Sequence, residues 1–371
     1  MTTIDAMQVD LFRVPLPVAV EASAAGLMKA FDMVAVRFTD KDGVTGSGYT
    51  VLHEGQGASV AKIADLPFRE ILMGQDSDRI EWLWRQMYKR HHYAGRGGPV
   101  SFALAAVDTA LWDMKGRRLG APLWRLLGGY DPKVRAYAGN IDLNFPVAQL
   151  LDGASQSVEA GFHSVKMRLG RPTLAKDISR VDAMRSHLPD EIEMMADANE
   201  AWRVDQAIRA MAMLKLYDLV WLEEPIAPDN IAGYAHLRSA ALVPLAAGEN
   251  LHTLAEFTTL ITAGGVDFPE PDLTTCGGIT PFMKVARLAE AHGLPVISHG
   301  AHDLHVHLLA AAPNAAYLEW HAFGLDRFMT DPLTVEDGYA TAPERPGHGV
   351  DFDWERLAAG GVTTSSDSHN P

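Results

Sequence analysis

Seven short apolar runs, SVKMR, MMADAN, VWLEEP, PLAAGEN, FPEPD, PVISHG and AYLEW, succeed one another between Ser164 and Trp320, and each carries a charged or imidazole group at its C-terminal end. The landmarks Lys166, Asp197, Glu223, Glu249, Asp272, His299 and Glu319 stand 31, 26, 26, 23, 27 and 20 residues apart, about one βα unit each, and the stretches between them have helical spacing. Such alternation implies a parallel sheet. An open, doubly wound sheet places its site at one switch point, whereas a closed barrel brings every strand end to one mouth. Seven consecutive polar strand ends therefore predict a barrel.

At 371 residues the chain is too long for one average domain and too short for three, so a barrel plus one smaller domain is expected. Before the barrel, MQVDLFRVPL, MVAVRFTD and VTGSGYTV alternate as antiparallel strands do, with a Lys-Asp-Gly turn between the last two. From Ala61 to Leu127 the apolar residues, Trp82, Trp84, Met87, Leu104, Val107, Leu111 and Trp112 among them, fall at helical spacing. This predicts an α+β module over residues 1–130, a barrel over 131–325, and a Pro- and Gly-rich segment over 326–371 that returns to the first module and ends in a mobile tail, TTSSDSHNP.

The net charge of −15 argues against nucleic acid or an anionic membrane as partner. No run is long and apolar enough to span a bilayer, and MTTIDAMQVDLF lacks the form of a secretory signal, so the expectation is a cytoplasmic protein. The one cysteine, Cys276 in TTCGGIT, has no second sulfur to pair with and reads as structural.

Asp197, Glu223 and Glu249 recur every 26 residues at successive strand ends. Three carboxylates aimed at a common volume need a cation, and oxygen-only ligands suit Mg²⁺ better than zinc. Lys166 and Arg168, two apart, face the same way in a strand. Asp272 and His299 end the strands that would be sixth and seventh in the barrel, where the carboxylate can hold and charge the imidazole.

The motifs VKMR, MADAN, WLEEP, AGEN, EPDLTTCGGIT, SHG and YLEW, with AAVDTALWDMKGRRLGAPLWRLLGG before them, resemble the mandelate racemase subgroup of the enolase superfamily in order and spacing over nearly the whole chain. The resemblance implies an α/β fold, a (β/α)7β modified TIM barrel with an α+β capping domain. It implies that Asp197, Glu223 and Glu249 hold Mg²⁺ with Asn199 as a polar neighbour, that Lys166 neutralises a substrate carboxylate, and that Asp272 and His299 form the acid/base dyad. A protonated Glu319 would donate a hydrogen bond to the enediolate. It also implies a homo-oligomer, dimer or octamer, with a small-molecule carboxylate as substrate.

The departure is Arg168, where racemases of this subgroup, like many of its dehydratases, have a second lysine base; a guanidinium is a poor proton acceptor. The expected activity is therefore dehydration of a sugar acid, aldonate or aldarate, to a 2-keto-3-deoxy acid. The alternatives are a racemase or epimerase of an α-substituted carboxylate and a non-catalytic acid-binding barrel. His305-Val-His307 has the two-histidine pattern of amidohydrolase zinc barrels, but falls in the helix expected after His299 instead of in the first strand. HYAGRGGP lacks the Lys-Ser/Thr of a phosphate loop. By resemblance, Val18–Leu27 and Tyr49–Gln56 are specificity loops, from which Glu21 and His53 would reach substrate; His92, Tyr93 and Arg96 are weaker candidates.

Overall fold

The computed structural model describes residues 2–23, 26–321, 323–359 and 363–365. Its first three strands, β1 (Ile4–Ala22), β2 (Gly26–Asp40) and β3 (Thr45–His53), pair antiparallel in sequence order. Asp40 closes the β2–β3 turn by accepting the backbone N–H groups of Asp42 and Val44 at 2.9 and 2.8 Å. The helix Pro99–Leu119 lies against β3. The approach is close because Gly48 has no side chain: a Cβ there would stand 2.3 Å from the Ala106 carbonyl oxygen. The buried Ala103, Ala106 and Ala110 keep the helix side of this contact small.

Eight parallel strands follow: β4 (Lys133–Gly139), β5 (Ser164–Arg168), β6 (Glu193–Asp197), β7 (Leu222–Glu223), β8 (Leu245–Ala247), β9 (Phe268–Pro269), β10 (Val296–Ser298) and β11 (Ala315–His321). They are hydrogen-bonded in the order β10-β11-β4-β5-β6-β7-β8-β9, and a helix joins each strand to the next. β9 and β10 lie side by side at the seam, so the sheet is a nearly closed (β/α)7β barrel capped by the antiparallel module, the architecture expected.

The barrel interior is layered by the period-2 rule of strands. Tyr137, Met195, Trp221, Ile297 and Tyr317 fill its lower part, with the Trp221 ring edge-on to Tyr137 at 5.3 Å and to Tyr317 at 5.4 Å. Two residues further along the same strands come Gly139, Asp197, Glu223, His299 and Glu319. An apolar plug thus forms the floor under a polar mouth.

After Gly324 the chain serves both modules. β12 (Val335–Glu336) and β13 (Tyr339–Thr341) form a hairpin whose second strand pairs antiparallel with β4 of the barrel. Trp354 then stacks on Phe12 of the cap, and Asp351 pairs with Arg117 at 2.9 Å. The expected mobile tail is corrected in part: Thr363–Ser365 form β14, paired antiparallel with Asp10–Phe12 of β1. The outer edge of β1 offers free backbone donors and acceptors that a short β-prone segment can satisfy. Residues 366–371 lie outside the described residues. No helix among the described residues is long and apolar enough to cross a membrane.

Candidate active site

Asp197 closes β6, Glu223 closes β7 and Glu249 stands two residues past β8, so parallel neighbours deliver three carboxylates to one point. One oxygen from each lies within 4.8 Å of the others. Asp197 and Glu223 are fully buried; burial, more than any single neighbour, pushes Glu223 above the usual carboxylate range, and Glu249 pushes the same way. Mutual repulsion in a desolvated volume makes the trio demand positive charge. With oxygen donors alone, the set fits a hard divalent cation.

The side chains already supply part of that charge. Lys166 Nζ reaches Glu223 Oε1 at 2.6 Å, Glu319 Oε1 at 2.7 Å and Asp197 Oδ2 at 3.8 Å. Burial disfavours its ammonium, but Glu223 and Glu319 outweigh burial and hold it above its ordinary value. Arg168 pairs with Asp197, donates to Asn199 Oδ1 at 3.1 Å and to the Asn140 carbonyl at 3.2 Å, and is almost fully buried. Asn199, at a positive φ of 39°, gives its backbone N–H to Asp197 Oδ1 and its amide to Oδ2. Its polar groups are turned onto Asp197 and Arg168, which aims the first carboxylate.

Across the mouth, Asp272 Oδ2 holds His299 Nδ1 at 3.0 Å, and Asp272 Oδ1 accepts the Thr274 N–H at 2.7 Å. The other nitrogen, Nε2, faces Glu249 at 3.0 Å and Glu319 at 3.9 Å. Burial works against a charged ring, yet Glu249, Glu319 and Asp272 together raise His299 well above its ordinary value. One nitrogen is thus anchored and the other aimed inward, an arrangement that acid/base chemistry can use.

The resemblance implied a protonated Glu319 donor. Lys166, at 2.7 Å, leads His299, His321 and Arg168 in outweighing burial and drawing the Glu319 carboxyl well below its usual range, and the Gly300 N–H donates to its Oε2 at 2.8 Å. Glu319 fits only because β4 ends in Gly139, where a Cβ would lie 2.4 Å from Glu319 Oε1.

The candidate specificity loops are largely strand. β1 runs to Ala22 and β2 begins at Gly26, and β3 extends to His53; the ladder continues because Glu21 pairs with Leu27 and His53 with Phe31. Glu21 gives its backbone N–H to Asn144 Oδ1, and Ser23 Oγ donates to the Ala198 carbonyl at 2.8 Å, so Ser23 rests beside Asn199; residues 24–25 of this candidate loop lie outside the described residues. His53 is exposed at the rim; partial desolvation of its ring, with the His299 charge acting the same way and Glu249 opposing, lowers it from its ordinary value. Tyr93 is 97% exposed, Arg96 is exposed, and His92 is turned onto the Lys89 carbonyl.

The two-histidine pattern lies in the helix expected after His299, with both rings engaged inside the protein. His305 Nε2 accepts the Leu273 N–H at 2.9 Å while Nδ1 donates to the Ala301 carbonyl, and His307 Nε2 donates to the His348 carbonyl. Burial brings these rings down to about 4 and about 3, so both are neutral fixtures of the helix His302–Leu309.

Three buried groups escaped the sequence reading. Glu270, two residues before Asp272, has Oε1 3.5 Å from the Tyr137 hydroxyl and is pushed well up, by burial first and then by Glu223. Glu224, beside Glu223, accepts from Asn250 Nδ2 at 2.7 Å. His321, two residues past Glu319, packs edge-on to His299 at 5.3 Å. Period 2 places Glu270 and His321 on the faces of Asp272 and Glu319, the signal by which they could have been found.

Comparison with known proteins gives concordant matches. The model for the mandelate racemase/muconate lactonizing enzyme N-terminal domain matches residues 6–128, and the enolase C-terminal domain-like model matches 149–356. The chain is 49% identical to the 3,6-anhydro-alpha-L-galactonate cycloisomerase of Streptomyces coelicolor, over 95% of this chain and 98% of the relative. It is 35% identical to the L-talarate/galactarate dehydratase of Salmonella typhimurium, over 91% and 86%. A racemase from Streptomyces coelicolor, solved with bound magnesium, superposes with a TM-score of 0.95 at 48% identity, covering 97% of this chain and 100% of that one. The L-talarate dehydratase of Polaromonas sp., complexed with Mg and L-glucarate, superposes with a TM-score of 0.91 at 33% identity, covering 98% and 99%.

Proposed function

The chain belongs to the mandelate racemase/muconate lactonizing enzyme family of the enolase superfamily, and from that premise we propose that it is a magnesium-dependent enzyme that removes the C2 proton of a sugar acid and eliminates the oxygen at C3. Asp197, Glu223 and Glu249 hold the ion; the oxygen-only trio and the magnesium in similar structures support this. When bound, Mg²⁺ polarises the substrate carboxylate and lowers the cost of placing a second negative charge on it. Lys166 neutralises the same oxygens from the side of β5. Asn199 and Arg168 keep Asp197 in place.

The observation that carries the reading is the asymmetry of bases. On one side His299 Nε2 points into the mouth with Asp272 behind it. On the other, Arg168 is a guanidinium engaged with Asp197 and Asn199. Racemisation needs an acid/base group on each face of C2, whereas elimination needs only one. His299 takes the C2 proton and leaves the electron pair on the substrate carboxylate as an enediolate; that pair then forms the C2=C3 bond as the C3–O bond breaks, and the imidazolium returns its proton to the departing oxygen. The resulting enol becomes a 2-keto-3-deoxy acid.

If the C3 oxygen is a free hydroxyl, water leaves and the enzyme is a dehydratase. If that oxygen belongs to an ether ring, it stays attached and the product is an isomer. The 49% identical relative, whose name describes a 3,6-anhydro sugar acid, favours this second reading, and both use the same site. His53 and the Glu21 hairpin tip form the rim against which the rest of the sugar is selected, and the homo-oligomer implied by the family completes the proposal, checked by light scattering.

The test is to incubate the enzyme and Mg²⁺ in deuterium oxide with galactarate, L-talarate, D-galactonate and 3,6-anhydro-L-galactonate, following C2 by proton NMR. Formation of a 2-keto-3-deoxy acid from at least one is expected. Inversion at C2 with no keto acid would assign a racemase instead.

A further inference from the structure

His321 ends β11 with its side chain on the same face as Glu319, inside the mouth. It is 4% exposed, and its Nδ1 is buried with no hydrogen-bond partner among the described residues. A buried imidazole nitrogen left unpaired is unfavourable, and native proteins retain such an atom where a ligand or a reaction uses it. Its ring does not drift freely: Phe323 lies against it at 3.7 Å, and Phe323 in turn packs on Phe31 of the cap at 5.0 Å. The cap thus fixes the orientation of a ring that nothing in the chemistry above employs.

The partners of this ring define what it can do. One ring nitrogen of His321, one of His299 and one oxygen of Glu319 all lie within 4.8 Å of one another. Two hydrogen bonds of ordinary length to a shared atom span up to about 6 Å, so one substrate oxygen can sit between the two imidazoles. A second cation in this cluster is disfavoured, because the Lys166 ammonium already occupies Glu319 at 2.7 Å and His299 is drawn to Asp272. Burial first, then His299, Arg168 and Lys166, hold His321 well below its ordinary value despite Glu319, which keeps the ring neutral with one N–H to give. A neutral ring cannot surrender that proton, but it can share it with an oxygen that is gaining charge.

We propose that His321 is a further catalytic residue: its ring N–H holds the oxygen leaving C3, placing that atom where the His299 imidazolium can protonate it. This rests on the elimination chemistry proposed above. The proton balance is unchanged, since the proton taken from C2 by His299 is the one delivered to oxygen, and His321 begins and ends neutral. The device solves a problem of one-base elimination, in which the same nitrogen must serve C2 and then the C3 oxygen. With the oxygen held beside His299, the imidazolium has only to transfer its proton sideways.

The test separates proton abstraction from C–O cleavage. Wild type, H321F, H321A and H321N are given galactarate and 3,6-anhydro-L-galactonate with Mg²⁺ in deuterium oxide, and both keto acid formation and deuterium at C2 of recovered substrate are measured. For H321F and H321A the expectation is about 10²-fold slower keto acid formation, the typical effect of losing one donor to a developing oxyanion, while deuterium enters C2 at a rate close to total wild-type abstraction. H321N, which retains an N–H donor, recovers about tenfold. H321A is carried in parallel so that a packing failure specific to phenylalanine does not decide the result. Keto acid formation within threefold of wild type in H321F or H321A, or parallel loss of exchange and elimination in both, overturns the assignment. If the wild type turns over neither acid, the variants are compared on whichever of L-talarate or D-galactonate it eliminates; elimination of none of the four overturns the elimination reading, and this assignment with it.

Discussion

The floor and the mouth of the barrel are built from the same strands, two residues apart, yet obey opposite rules. Tyr137, Trp221 and Tyr317 in the floor interlock edge to face, and each fully buried side chain of that size contributes roughly 2–3 kcal/mol through burial. The mouth places Asp197, Glu223, Glu270 and Glu319 around Lys166 and Arg168, all buried; there desolvation opposes attraction, and the net stabilisation is small or negative. Geometry in the mouth is therefore maintained by the floor beneath it and by the cap above. Stability and activity should separate along each strand, and four measurements test this.

The largest effect is expected from Glu223→Gln. Removing one carboxylate of the trio should lower turnover by about 10⁴-fold, in line with the electrostatic contribution of a metal site, and chelation of Mg²⁺ should do the same to the wild type. The melting temperature should move little, because glutamine keeps an oxygen for the Trp221 indole N–H, which donates to Glu223 Oε2 at 3.0 Å, and Lys166 keeps Glu319. Retained turnover in either experiment would break the contrast at its strongest point.

His299→Asn should lower keto acid formation by about 10³-fold, within the range for an acid/base group, and should also stop deuterium exchange at C2. The two losses must come together, since one nitrogen performs both transfers.

Two positions before Glu223, Trp221→Ala should have the converse signature. A cavity in the aromatic floor is expected to cost about 3–5 kcal/mol of stability, read by denaturant unfolding, while the fraction still folded turns over within about tenfold of wild type. A stable variant with lost activity would show the floor to be part of the chemistry.

The smallest effect concerns the join between cap and barrel. Asp108, on the cap helix Pro99–Leu119, accepts the Thr280 N–H and hydroxyl, both at 2.8 Å, at the start of the barrel helix Ile279–Ala291. Burial lifts its carboxyl to about 7. A folded-state value above the unfolded one means the folded protein binds the proton more tightly, so this stability is present at low pH and is lost as pH rises from about 4 to about 7. Asp108→Asn, which does not titrate, should be flatter across that window, read by denaturant unfolding at its two ends. An unchanged slope would show that the two donors keep Asp108 ionised throughout.

Much of the mouth was legible in the sequence because the landmark groups interrupt apolar runs, where a charge has no structural use. Asp197, Glu223, Asp272 and His299 were found by that contrast. Gly139 could not be, since its contribution is the absence of a side chain. Glu270 and Glu224 stand next to landmarks in charged clusters, EPD and EEP, where residue type alone does not say which carboxylate faces inward. The tail was misread because Thr363–Ser365 acquire their strand only from the edge of β1, far away in sequence. The surroundings of Glu319 were hidden for a similar reason: Lys166 and the Gly300 N–H are partners that the sequence does not pair.

Gly139 has a consequence for anyone who searches such a barrel for function by substitution. With a Cβ barred by the Glu319 carboxylate, a saturation scan would rank position 139 beside the acid/base residues although it offers no functional group. An alanine scan restricted to polar side chains would never visit it. Redesign of the pocket from this strand meets the same limit, because the smallest possible addition displaces the carboxylate that steadies Lys166, and new specificity has to enter from the cap.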